Sequence, residues 1–501
     1  MAALASLAGA TTVSAAPYTV LECSSPFGAP DASPFDTSAD HYLERNRCDS
    51  AGAFVGLTVT HSAAQTELDR QAGWSFSAPD GTYFTHADFK AYGNQQDAHV
   101  PQLYMRTQGV GDFLIGSPDP TPQFFDWNSQ NNGGAGSQLV IQLKCRGVSA
   151  GNCGRGDLAY VGASDFRFVL EDAAAPSVLG LDGSLFAAPA TYVKGLKGLA
   201  LSASDRGSGL AGYSVAVNGQ DASAGTFGQC LVSDGVPVAL APCPSSGLGA
   251  VALDTGQAPF QNGLNDLDVC VSDFAGSETC AKRQINVDRI CPVNEDRAVT
   301  KLAGVGFNRK TPSFGKRVKL VGRAVGSEGK GRRSVRVCVT QSTGPNGQET
   351  LIGTPKTNGK GHFEVKLARG ASRSFRIAAW QGDTAVSKRR TLLVKAKPKL
   401  ALRPKGEIAE GHDVRFLVRL NPPITANHLP VRVESKALAG WVSVPGCTGQ
   451  ANGKGLYKCK LHFPEGSGGV RYRFRAFAGV GNDGYPFLRG HSRVLAKMVR
   501  H

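Results

Sequence analysis

Along this chain apolar and polar residues alternate over short stretches instead of recurring every three or four positions. Residues 213–217, 318–321, 334–339, 414–420 and 431–434 show the pattern, each bounded by Gly, Pro, Asn or Asp. A period of two puts successive side chains on opposite faces of a strand, and turn formers close each run. Helical periodicity is hard to find. The pattern therefore predicts an all-β protein built from tandem β-sandwich domains.

Three places interrupt it. Asp172, Ala173, Ala174, Ala175 and Pro176 read as a short linker after the strand-like residues 166–170. A second boundary falls at 288–296, and a third at Lys395, Ala396, Lys397, Pro398 and Lys399, where Pro and like charges oppose a continuing strand. Four domains follow, at 18–173, 174–290, 291–397 and 398–501. The last two read as copies. Gly315, Val318, Arg323, Val335, Arg336 and Val337 are matched 96 positions later by Gly411, Val414, Arg419, Val431, Arg432 and Val433. Phe375 and Arg376 are matched by Phe474 and Arg475 at an offset of 99, which implies a three-residue insertion. A period near 96 suits an immunoglobulin-like sandwich.

A length of 501 residues fits several domains. With 41% hydrophobic residues the chain can bury cores, which rules out wholesale disorder. No run of 18 or more apolar residues occurs, so no transmembrane helix is expected. Residues 1–17 are free of charge and end in small residues before Pro17, as at a signal-peptidase site. The basic region that opens such a signal is missing, so the expectation is a truncated secretory signal. Twelve cysteines fall in close successive couples: Cys23/Cys48, Cys145/Cys153, Cys230/Cys243, Cys270/Cys280, Cys291/Cys338 and Cys447/Cys459. Zinc sites need short paired spacings that these lack. Domain-local disulfides are expected, with nine connectivities open and nearest-neighbour pairing the simplest.

Charge divides the chain. Residues 1–290 hold 15 Lys+Arg against 28 Asp+Glu, net −13, and residues 291–501 hold 40 against 12, net +28. A basic half points to a polyanionic partner: an anionic cell-envelope polymer or polysaccharide, or the acidic half of a neighbouring copy. The exposed-looking cations are Lys330, Arg332, Arg333, Lys388, Arg389 and Arg390. Aromatics are sparse among them, so a platform for stacking nucleic-acid bases is not evident and no specific nucleic acid is expected.

Asp205, Gly207, Ser208, Gly209 and Leu210, then Val215 and Val217, then Val271, Asp273, Ala275 and Gly276, resemble the bacterial immunoglobulin-like modules of secreted surface proteins. The likeness covers about 110 residues and departs at Ser277, where that family usually has Asn. It implies structural turns and no catalysis. Thr357, Asn358, Gly359, Lys360, Gly361, His362 and Phe363, followed by Phe375, look like the transthyretin-like or carboxypeptidase-regulatory-like sandwiches. The whole order is similar to uncharacterised, adhesion-like proteins of high-GC Gram-positive bacteria.

Most aromatics lie in residues 18–172, whose alternating Trp74, Ser75 and Phe76 resemble a jelly-roll-like carbohydrate-binding domain. Trp74 and Phe76 suit a core. The stretch Phe124, Phe125, Asp126, Trp127, Asn128, Ser129, Gln130, Asn131 reads as a loop before two glycines. Sugars stack on aromatics while amides and carboxylates fix their hydroxyls. Phe124, Phe125, Trp127, Asn128, Gln130 and Asn131, with Tyr92 and Gln95 as a second edge, are the candidate ligand residues; a loop anchored by core aromatics is the competing reading. Arg155, Gly156 and Asp157 spell an integrin-type tripeptide just after Cys153.

Chemistry is mostly missing. The chain has no His-Glu-x-x-His, no Gly-x-Ser-x-Gly elbow and no phosphate-cradling loop ending in Lys-Ser/Thr. No catalytic residue, metal or cofactor is expected. The expectation is a secreted, non-enzymatic, surface-associated structural or adhesion protein, binding through its first domain and held electrostatically by its basic repeats. Filament formation is a variant of it, and a lectin-like protein or carbohydrate-active enzyme accessory is the alternative.

Overall fold

The structure, a computed structural model, describes residues 16–24, 28–29, 31–37, 41–49, 55–61, 65–107, 111–132, 134–146, 152–186, 191–295, 298–343, 349–420, 430–479 and 487–501. Of the leader-like segment 1–17, residues 1–15 lie outside the described residues, and Ala16 and Pro17 open the first strand. Strands account for all regular structure among the described residues. The chain divides into two compact units, one of Met1–Thr191, Leu196–Phe260 and Leu264–Ile285, the other of Tyr192–Gly195, Gln261–Gly263 and Asn286–His501.

In the first unit eleven strands form one branched sheet: β1 (Ala16–Glu22), β2 (Ser33–Asp36), β3 (Tyr42–Arg47), β4 (Gly56–His61), β5 (Gln71–Ser77), β6 (Thr82–Asn94), β7 (His99–Thr107), β8 (Gly111–Gly116), β9 (Gln123–Asn128), β10 (Gly136–Cys145) and β11 (Tyr160–Asp172). Its path runs β2-β5-β10-β6-β11-β4-β3, with β1 on β11, β7 on β10, β8 on β7 and β9 on β6. The inward residues bury an aromatic core of Phe76, Phe84, Phe89, Phe166 and Phe168. Trp74 is buried too, its indole donating to the Thr58 carbonyl.

Next come β12 (Ser177–Asp182), β13 (Tyr192–Val193), β14 (Leu196–Ser204), β15 (Leu210–Val217), β16 (Gln220–Thr226), β17 (Val232–Ser233), β18 (Val236–Pro237), β19 (Ser246–Asp254), β20 (Gly263–Asp273) and β21 (Glu278–Val287). The sheet β12-β14-β19 faces the sheet containing β21-β20-β15-β16 as a second sandwich. Its Gly-Ser-Gly turn is held by Asp205, whose Oδ2 accepts from the Gly207 and Gly209 amides at 2.9 and 2.8 Å. Gly209 has φ +86°, and a Cβ there would sit 2.0 Å from the Cys243 carbonyl oxygen, so only glycine fits. The segment expected as a linker is no slack tether. Asp172 is fully buried and accepts from the Ser208 amide at 2.6 Å, while Tyr18 donates to the Leu240 carbonyl at 2.7 Å.

The second unit holds β22 (Lys301–Phe307), β23 (Val318–Val325), β24 (Cys338–Ser342), β25 (Thr350–Gly353), β26 (His362–Leu367), β27 (Arg373–Gln381) and β28 (Thr384–Leu392). It continues with β29 (Lys399–Arg403), β30 (Ile408–Ala409), β31 (Asp413–Arg419), β32 (Pro430–Ala437), β33 (Gly440–Gln450), β34 (Leu456–His462), β35 (Arg471–Ala478), β36 (Gly490–His491) and β37 (Leu495–Arg500). Sheets β22-β23-β26 and β25-β24-β27-β28 make one sandwich; β29-β31-β34 and β30-β37-β35-β32-β33 make the other. One continuous core serves both, with Phe314 and Phe487 edge to face at 5.6 Å.

The 96-residue match falls on the equivalent strands β23 and β31, and the 99-residue match on β27 and β35. Gly315 and Gly411 hold the same left-handed turn, with φ +90° and +74°. A further match escaped the sequence reading: Asn358-Gly-Lys-Gly361 is repeated as Asn452-Gly-Lys-Gly455. Each Asn Oδ1 accepts from the amides two and four residues on, Lys360 and His362 in one copy, Lys454 and Leu456 in the other. The copies differ at residues 334–339, expected as a strand. Ser334 takes a left-handed φ of +57° and regular pairing begins only at Cys338.

All twelve cysteines pair with their nearest neighbours: Cys23–Cys48, Cys145–Cys153, Cys230–Cys243, Cys270–Cys280, Cys291–Cys338 and Cys447–Cys459.

Candidate functional site

Residues 123–128, expected as a loop, are the strand β9, and β9 pairs with β6. Alternation then divides the candidate ligand residues between two faces. Phe125 and Trp127 turn inward. Phe125 stacks on Phe89 at 6.0 Å, and Trp127 is fully buried against Gly136 and Met105. Trp127 is thus a core residue and cannot offer its ring to a sugar. Phe124, Asp126 and Asn128 turn outward, Phe124 with 65% of its surface exposed. Asn128 Oδ1 accepts from the Gln130 amide at 2.9 Å, which shapes a tight turn carrying Gln130 and Asn131 at its exposed tip.

Tyr92 is corrected in the same way. It is buried, its ring lies over Gly162 and its hydroxyl donates to the Val55 carbonyl, so it presents no stacking surface. Gln95 is exposed beyond the end of β6. The neighbouring Asn94 and Gln96 are bonded to the backbone of Leu158.

The strand register assembles around Phe124 a polar face that the sequence reading missed. Across β9, β6 and β11, one row is Phe124, Lys90 and Ser164; the next is Asp126, Asp88 and Arg167; the third is Asn128, His86 and Val169. His86 sits between two carboxylates, Nε2 2.9 Å from Asp88 and Nδ1 3.5 Å from Asp126. Arg167 reaches Asp88 at 3.4 Å, and Lys90 reaches Asp165 at 3.1 Å. The face therefore offers one bare aromatic ring beside carboxylate acceptors and cationic donors. The signal for it lay in β6, where His86, Asp88 and Lys90 alternate with Ala87, Phe89 and Ala91.

A second cluster lies under Arg155, Gly156 and Asp157. The Gly156 amide donates to His61 Nδ1 at 3.2 Å, so Nε2 carries the proton and donates to Thr66 Oγ1 at 2.7 Å. His99 donates from Nε2 to the Gly154 carbonyl at 3.0 Å and accepts the Tyr42 hydroxyl at Nδ1, 2.9 Å away. The two imidazoles lie 3.9 Å apart, and His61, His99, Tyr42 and Thr66 are all buried. Burial pushes the His61 pKa down to about 4, helped by the like charges of His99 and His41. Burial lowers that of His99 too. The cluster holds the backbone of Gly154 and Gly156, just after Cys153, while Arg155 and Asp157 above it are exposed and paired with each other at 3.1 Å.

The expected polyanion residues do not form one patch. Lys330, Arg332 and Arg333 are exposed on the turn after β23, and Lys330 pairs with Glu328 at 3.2 Å. On β28 alternation separates Lys388 and Arg390 from Arg389. Arg389 bonds the Tyr192 hydroxyl at 2.9 Å, and Arg390 donates to the Val305 carbonyl at 2.9 Å. Beneath Arg389 lies a buried ionic node. Arg376 donates to Asp288 at 2.7 Å and Glu349 at 2.8 Å, stacked 3.8 Å from the Tyr192 ring.

One trio among the described residues, Cys270, Glu278 and Cys280, has ligand atoms within 4.8 Å of one another. Both sulfurs are bonded to each other, so neither is the thiolate a metal requires.

No protein-family model matches this chain, and no curated protein matches it. Solved structures with some likeness include the ICAM-5 D1–D4 ectodomain fragment, 13% identical over 91% of this chain and 99% of that one, with a TM-score of 0.23. The chicken CNTN1 FN1–FN3 domains are 12% identical over 66% of this chain and 100% of that one, TM-score 0.18. The Escherichia coli adhesin FdeC is 11% identical over 66% and 97%, TM-score 0.19. At those scores the likenesses assign no function to this chain; its all-β character rests on its own strands.

Proposed function

We propose that the chain is a secreted, surface-associated adhesion protein. Its first domain recognises a glycan through the β9–β6–β11 face, and its basic unit attaches to an anionic envelope polymer. The observation that carries the reading is Phe124. An aromatic side chain 65% exposed on a sheet face is free to stack on the apolar face of a sugar, and its neighbours Asp126, Asp88 and Asn128 are the hydroxyl-binding groups a sugar needs. Six disulfides support export, because they persist in oxidising compartments.

The test is co-sedimentation of the full chain with neutral polysaccharides and with cell walls across a salt series. Neutral-glycan binding is expected to survive high salt and to fall roughly tenfold in Phe124→Ala, as loss of about 1.4 kcal/mol of stacking implies. Unchanged binding by Phe124→Ala would discard this face. Net charges of −13 and +28 in the two halves of the chain favour a second reading, self-association of copies. Sedimentation velocity at low and high salt checks it: salt-reversible polymers support it, and a monomer at every salt eliminates it.

A further inference from the structure

The outer face of the β29-β31-β34 sheet carries cations on all three strands. Arg403, Arg415 and Lys460 stand directly opposite one another, and so form a row across the sheet. Two residues along, Ala401, Leu417 and Lys458 form the next row; then come Lys399 and Arg419, side by side. Strands lie about 4.8 Å apart and alternate residues about 6.8 Å apart, so these are near neighbours. Like charges directly opposite destabilise a sheet. Among the described residues the one acid paired with this face is Asp413, 3.9 Å from Lys460. Arg403, Arg415, Leu417, Lys458 and Lys460 also line a shallow depression of about 530 Å³.

The third sandwich provides an internal control. Its equivalent sheet, β22-β23-β26, follows from the same repeat and the same Asn-Gly-Lys-Gly turn. There Lys319 occupies the place of Arg415, and Glu364, six residues after Asn358, occupies the place of Lys458, six after Asn452. Lys319 and Glu364 are neutralised by an ion pair of 2.7 Å. The fold therefore accepts an acid at this position, and the last sandwich has a lysine. Lys366, opposite Lys319, is cationic like Lys460, so the copies differ in charge at the 364/458 position, where only the last sandwich adds a cation.

We infer that the β29-β31-β34 face is the binding site for the polyanion, and that its ligand is an acidic polysaccharide. This deepens the electrostatic half of the function proposed above and rests on it. Ala401 and Leu417 form an apolar strip between cationic rows, suited to the faces of sugar rings whose acid groups reach the arginines and lysines on either side. Among the described residues no Phe, Tyr or Trp stands on this face to stack a base, and its one imidazole, His462, pairs with Asp413 at 3.1 Å, which sets nucleic acid apart.

The experiment measures binding of the full-length chain to polygalacturonate, dextran sulfate and double-stranded DNA from 0.05 to about 0.3 M salt, a range over which screening changes strongly. Three proteins are compared: wild type, the triple variant Arg403→Gln/Arg415→Gln/Lys460→Gln, and Lys330→Gln/Arg332→Gln/Arg333→Gln as a control of equal charge. Lys458→Glu, which copies the arrangement of the third sandwich, is the second probe. The face variants are expected to lose at least tenfold in affinity for the acidic polysaccharides. Their log–log salt slope should drop by about three for the triple variant, one per lost contact, with melting temperature retained. Wild type that binds no polyanion overturns the attachment reading itself. Wild type that binds while the face variants match it, or while the control loses as much, overturns only this site. Tighter binding to DNA than to either polysaccharide overturns the assignment of the ligand.

Discussion

His61 should make the first, eleven-stranded domain acid-labile. Its imidazole is 4% exposed, takes the Gly156 amide at one nitrogen and gives its proton to Thr66 at the other. A second proton has nowhere to go without breaking the Gly156 bond. The folded pKa of about 4 lies below the ordinary 6.5. The unfolded chain therefore binds protons first as pH falls. Stability from the neutral ring is fully present above 6.5, declines below it and is lost by about 4. A difference of roughly 2.5 pH units at 1.36 kcal/mol each gives about 3 kcal/mol. Two carboxyls work the other way: Glu22, raised to about 9 by burial and by Asp31, and Asp273, raised to about 6 by burial and by Asp172 and Asp205. A global melt therefore mixes opposing terms, and the assay must be local. NMR titration of the His61 ring, with amide exchange at Gly156, isolates it. In the wild type the protection of the Gly156 amide, its exchange rate measured against the intrinsic rate at the same pH, should fall as pH drops from 6.5 to 4. In His61→Gln, which keeps an acceptor and a donor but cannot ionise, it should stay flat. A His61 ring that titrates near 6.5, or a His61→Gln variant with wild-type acid sensitivity, would refute the reasoning.

Two further substitutions address buried charge. Asp273 keeps Oδ1 on the Ser277 amide, and Oδ2 is buried without a hydrogen-bond partner. Its raised pKa means that stability is lost as pH rises through about 6, so Asp273→Asn should stabilise the chain at pH 8 by about 1 to 3 kcal/mol and have no effect below pH 4; chemical denaturation at both pH values reads this out. Arg376→Ala leaves Asp288 buried without its countercharge and Glu349 with only the more distant Arg389 at 3.7 Å, and should cost the second unit about 3 to 5 kcal/mol. Denaturant unfolding followed by the fluorescence of Trp380, whose indole donates to Asp288, measures it.

Much of the fold could be read from period two alone, because an inward residue every second position is what a sandwich requires. Val414, Phe416 and Val418 on β31 alternate with Arg415, Leu417 and Arg419 in sequence and in burial alike. The candidate site was less legible for the same reason. Phe124, Phe125 and Trp127 look alike as aromatics, and which face each takes depends on register with β6, a strand some thirty residues upstream. The two glycines that follow suggested a loop, yet β9 ends before them. Runs such as Lys388-Arg389-Arg390 misled similarly, since adjacent cations in a strand point opposite ways. The cations that do cluster, Arg403, Arg415 and Lys460, are scattered over 58 positions and meet only through pairing.

The two basic sandwiches separate what the fold needs from what differs between copies. Both retain an arginine at the matched position of the long sheet. Arg376 pairs with Glu349 at 2.8 Å and stacks on Tyr192; Arg475 pairs with Glu434 at 2.6 Å and stacks 4.2 Å from Trp441. The acid and the ring come from different places in each copy, so the arrangement was kept while its parts changed. Such a node sets sheet geometry: a planar guanidinium held on one side by a carboxylate and covered on the other by a ring has one well-defined pose. On the opposite sheet nothing equivalent constrains the outer face, and there the copies diverge in charge at Glu364 and Lys458. A surface with Lys458 where its twin has Glu364 gives up the ion pair that Glu364 makes, and an anionic ligand laid across Arg403, Arg415 and Lys460 would recover that stability.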